Sequence, residues 1–88
     1  MADYGDFLRH CERFLAHVDR EAAAGNFDFA VLEELEQDLE KRARLLREVQ
    51  ERDVLHCEGG PEAEAGLQQC RDALERFTEE AFKQTGGA

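Results

Sequence analysis

The stretch PEAEAGLQQCRDALERFTEEAFKQ, from Pro61 to Gln84, decides the fold. Within it Ala63, Leu67, Cys70, Leu74, Phe77 and Ala81 follow one another at alternating intervals of four and three, which keeps them on one side of an α-helix. A strand would need alternation at two. The spacing therefore predicts a helix over 61–84 that packs along its whole length. Gly66 lies inside it and costs about 1 kcal/mol against alanine, which marks either a close backbone approach or a tolerated residue.

Two further stripes precede this one. Upstream of Pro61 the run His56-Cys57-Glu58-Gly59-Gly60 is a strong helix stop, and the proline suits the first position of the next helix. Before that stop a long second segment, about 28–55, has a seam of Leu32, Leu35, Leu39, Leu46 and Val49, with Ala43 and Leu45 beside it. A strict heptad also puts Arg42 and Asp53 on this seam. Its first half is acidic (Glu33, Glu34, Glu36, Asp38, Glu40) and the residues that follow are basic (Lys41, Arg42, Arg44, Arg47), an order that suits the helix dipole. Glu40 with Arg44 and Glu48 with Arg52 have the offset of favourable helix pairs. A first segment, about 3–24, carries Tyr4, Phe7, Leu8, Cys11, Phe14, Leu15, Val18 and Ala22 on one face. It ends at Gly25-Asn26, where glycine closes a helix and Asn26 or Asp28 caps the next.

Short turns make successive helices antiparallel neighbours. The expected fold is thus all-α: a single helical domain over 1–88, an elongated up-down-up three-helix bundle, antiparallel and coiled-coil-like. A helical hairpin with its third helix swapped onto a partner is the alternative.

Composition narrows the function. The chain has 88 residues and a formal net charge of -10, from 21 acidic against 11 basic residues. So acidic a surface opposes nucleic acid, whose phosphates need clustered Lys and Arg, and anionic membranes alike. No apolar run approaches the roughly 20 residues of a membrane helix. The start, Met1 to Asp6, lacks the basic region and apolar core of a secretory signal, so a cytoplasmic location is expected. A core this small is marginal alone, so a partner or a second copy would help.

Chemistry-bearing motifs are few. No Gly-rich phosphate loop and no serine occur, and the carboxylates lie on solvated helix faces. Neither an enzyme nor a cofactor is expected. In an up-down-up bundle His10, Cys11, His56 and Cys57 fall at one end, with Cys70 a turn or two away, so a metal or redox sensor is one reading. The simpler reading treats Cys11 and Cys70 as small buried hydrophobes of their stripes and assigns no metal. Phe27 and Phe29 point about 200° apart on a helix. One is expected to staple the turn and the other to enter the core, unless one is an exposed docking residue. Phe82, beside the stripe ending at Ala81, raises the same question.

The run Ala22 to Asp28, with Gly25, Phe27 and Asp28, followed by Arg42, Leu45 and Leu46, resembles the FliT family of flagellar type III export chaperones. The resemblance implies a helical cytoplasmic chaperone that holds an amphipathic segment of an export substrate in a groove between its helices. The residues it implies for that groove are Phe27, Leu32, Leu35, Leu39, Leu67, Leu74 and Phe77. The competing readings are a structural coiled-coil adaptor, or a homodimer, without chaperone role.

Overall fold

The computed structural model describes residues 4–52 and 60–84, and in it the three apolar stripes become three helices. These are α1 (Tyr4–Ala23), α2 (Phe29–Arg52) and α3 (Gly60–Gln84), with no strand among the described residues. The expected end of the second helix at 55, its Asp53, and the stop at His56 and Cys57 lie outside the described residues.

The first turn shows why α1 stops and α2 starts. Gly25 takes φ +74°, the left-handed conformation that a Cβ disfavours. Around it the Gly25 N–H donates to the Ala22 carbonyl at 3.1 Å and the Asn26 N–H to the Glu21 carbonyl at 2.9 Å, so two end carbonyls of α1 are satisfied. Asp28 is the cap of α2: its Oδ1 accepts the Val31 N–H at 2.9 Å. Phe27, just before the cap, packs on the core beside Leu32 and so staples the entry of α2.

Side-chain contacts fix the register. Arg42 of α2 reaches the His10 carbonyl of α1 at 3.1 Å, and Gln50 near the end of α2 donates to Glu64 near the start of α3 at 2.9 Å. The Phe27 and Phe77 rings sit 4.9 Å apart at the opposite end. Helix α2 therefore runs antiparallel to both neighbours, and α1 and α3 run parallel. The result is a rod with extents of 50 × 19 × 18 Å, the up-down-up bundle the stripes predict.

The core runs its whole length. Phe7, Cys11, Phe14 and Val18 of α1 meet Leu32, Leu35 and Leu46 of α2, and Ala63, Leu67, Cys70, Ala73, Leu74 and Phe77 of α3. Gly66 is a close approach: a Cβ there would meet Leu8 Cδ2 at 3.0 Å and Cys11 Sγ at 3.7 Å. Arg42 does occupy the seam, half-buried, and stays there because its polar head is used. Its Nε donates to the His10 carbonyl, its Nη1 donates to the Asp38 carbonyl at 3.2 Å and pairs with Asp38 Oδ1 at 3.5 Å, and its guanidinium lies 5.6 Å from the Phe14 ring centroid. Asp38–Arg42 is thus the pair that forms at the favourable offset on α2; the expected pairs Glu40–Arg44 and Glu48–Arg52 are not closed.

Candidate functional site: an apolar end and a charged groove

The seven positions expected to line a groove are placed by the bundle mostly inside it. Leu35 is fully buried, and Leu32, Leu67, Leu74 and Phe77 are buried with it in the contact between the three helices. Phe27 and Leu39 are half-buried and packed on that core. The regular spacing that draws attention to them is what a helix needs to pack on two neighbours, and Phe27, Leu32 and Leu67 also reach the walls of surface cavities.

Two rings off the stripes remain in water. Phe29 is 80% exposed and Phe82 is 62% exposed, and they are the exposed large hydrophobics among the described residues. Phe29 does not enter the core: with Phe27 held against Phe77, a residue two positions further on α2 points away from it. Both rings flank one shallow cavity of about 210 Å³, whose remaining lining is Phe27, Asp28, Leu32 and Ala81. This cavity lies where α1 ends, α2 begins and α3 ends. The sequence signals for these rings are the opposition of Phe29 to Phe27 on a helix and the place of Phe82 beside its stripe, and each reads equally well as a second core contact.

The same α2–α3 side holds a second cavity, of about 340 Å³, toward the other end of the rod. Ala43, Leu46 and Leu67 line it together with Arg47, Gln50, Glu64, Gln68 and Arg71. On each helix these residues repeat at three and four, so the groove follows the helix edges. Between the cavities the edges carry Glu33 and Glu36 on α2 and Glu75 and Glu79 on α3, all exposed. One side of the molecule is therefore banded from aromatic to acidic to basic. Within α2 and α3 the same contrast holds: residues 28–36 and 72–84 carry eight acids against two bases, whereas 41–52 and 60–71 carry six bases against four acids.

The thiols lie elsewhere, in the middle of the α1–α3 contact. Cys11 and Cys70 are both free and buried, and the Cys70 thiol approaches the Cys11 carbonyl at 3.7 Å. Burial pushes the Cys70 thiol up to about 12, with the adjoining Cys11 adding to the effect, and burial raises Cys11 as well. A thiol that keeps its proton is a poor nucleophile and a poor metal ligand. His56 and Cys57, which the sensor reading also needs, lie outside the described residues. Among the described residues no three His, Cys, Asp or Glu side chains converge as a metal site would require, and no helix is long and apolar enough to cross a membrane.

Fold and surface together define a small three-helix bundle with an aromatic, acidic end. Its family follows from the whole length of the chain: residues 1–88 match the family model described as Protein ChrB, N-terminal, and the chain belongs to that family. This overturns the resemblance to the FliT flagellar export chaperones. The residues that carried it have local causes, since Gly25 closes α1, Phe27 and Asp28 staple and cap α2, and Arg42 covers Phe14. A tight helical hairpin with a half-buried arginine on its seam produces that pattern without a chaperone role. No curated protein and no solved structure matches the chain.

Proposed function

We propose that this chain is a non-catalytic helical protein-interaction module, and that it engages its partner through the aromatic end of the α2–α3 face. One observation carries the reading: Phe29 and Phe82 are held in water beside a common cavity while the other large apolar side chains described are covered. Complete burial of an exposed Phe is worth about 1.5–3 kcal/mol, so covering the area these rings still expose favours association. Two exposed aromatics meeting at one site mark a binding surface more often than scattered ones do.

The chemistry of the chain supports the same reading. The net charge of -10 disfavours an anionic ligand over most of the surface, which leaves a protein as the proposed occupant of the aromatic end.

The test is a capture experiment from the protein's own cells, using tagged wild type and the tagged double variant Phe29→Ser/Phe82→Ser, with bound chains identified by mass spectrometry. Wild type is expected to hold a chain at near-equal stoichiometry that the variant loses while keeping its helical circular-dichroism spectrum. Equal retention by the folded variant would place the binding surface elsewhere and overturn the reading.

A further inference from the structure

We infer that the occupant of the α2–α3 face is a second copy of this chain, docked antiparallel. The inference rests on the protein-interaction reading above and adds the identity of the partner. Its basis is the banding of that face. A copy turned end over end, with its α2 lying on α2 and its α3 on α3, brings the acidic band of each molecule onto the basic band of the other. In a single register Glu33 meets Arg47 of the second copy, Glu36 meets Arg44, and Glu75 meets Arg71, each contact occurring twice by symmetry. Helical spacing puts all six residues on the exposed edges of the groove.

The same turn moves Phe29 and Phe82 toward the polar-walled, Leu-floored cavity of the second copy, where Leu46 and Leu67 lie. It also separates the two strongly acidic ends by most of the 50 Å rod, several times the ~8 Å screening length at physiological salt. A parallel arrangement would stack those ends together. One like-charge meeting remains, at the two-fold axis, where Glu40 faces its own counterpart.

Sedimentation equilibrium on the 88-residue chain tests this. Wild type is expected to dimerise at micromolar concentration and to loosen as salt rises. Glu33→Lys and Arg47→Glu should each weaken the dimer by about tenfold, since each reversal turns two symmetry-related attractions into repulsions, and the chain carrying both substitutions should recover. Glu40→Gln should tighten it. A monomer under all conditions overturns the inference, as does a dimer in which the two charge swaps add their losses without recovery. If the chain is monomeric yet captures a different protein in a Phe29- and Phe82-dependent way, the second copy is excluded while the interaction reading stands. If neither assembly nor capture depends on those rings, both fail.

Discussion

Cys70 shows how much a single side chain contributes when it is sealed between helices. Its replacement by alanine removes one buried sulfur and is expected to cost about 1–2 kcal/mol, the range of a small cavity, measured by urea unfolding. The thiol also couples stability to pH. Folded, it holds its proton to about 12, whereas unfolded it releases it near the ordinary 9.0. Above pH 9 the native state therefore binds more protons than the unfolded one, and stability falls as pH rises toward 12. Each such thiol adds at most about 1.4 kcal/mol of loss per pH unit. Unfolding curves at pH 8 and pH 10.5 should show a smaller loss for Cys70→Ala than for wild type. Gly66 makes a complementary point. Its Cβ position abuts Leu8 and Cys11, so Gly66→Val is expected to destabilise the bundle by about 1–3 kcal/mol through overpacking. Cys70 is legible in the sequence as a member of its stripe, whereas Gly66 is legible only as a helix-interior glycine with two readings, a close approach or a tolerated residue, because spacing places a residue on a face without giving the distance to what lies opposite.

At the scale of the helices, α2 depends most on polar detail. Asp28 supplies its N-terminal cap, and Asp28→Ala is expected to cost about 1 kcal/mol. Arg42 covers Phe14 and bonds the backbone of both α1 and α2. Arg42→Ala should cost about 1–2 kcal/mol, since a charged group's hydrogen bonds and its packing over the ring are lost together. Thermal unfolding of the two variants checks both values. The helices themselves could be read from the sequence, because periodicity of 3.6 and a Gly-capped turn are local properties. The three spans 4–23, 29–52 and 60–84 fall close to the stripes that predict them. The ion pairs could not be read, because an offset of four makes a pair available while competing backbone carbonyls decide which one closes. Here Arg42 is drawn to Asp38 and to α1, and Arg44 is left on the exposed edge.

For the whole molecule the decisive property is the distribution of apolar and charged surface along a rod. The bundle buries most residues of its stripes, so of the seven positions expected to line a groove Leu35 and Leu74 are held in the core, while Phe27, Leu32 and Leu67 also line surface cavities. Among the described residues, what stands out on the surface is a pair of rings and a banded groove, visible only once the register of α2 against α3 is known. The acid-then-base order of the second helix was plain in the sequence, but its partner band on α3 was not, since Glu75, Glu79 and Arg71 acquire a common edge with α2 only through packing. The aromatic end of this face is the proposed contact surface for another chain. The most direct test is backbone amide NMR of the 88-residue chain, titrated with the chain it binds or, for self-association, followed over a dilution series. The shifts are expected at 27–36 and 75–84 and at the groove residues 43–50 and 64–71, with α1 largely unmoved. Shifts confined to α1, or none at all where binding is established by an independent measurement, would contradict the claim.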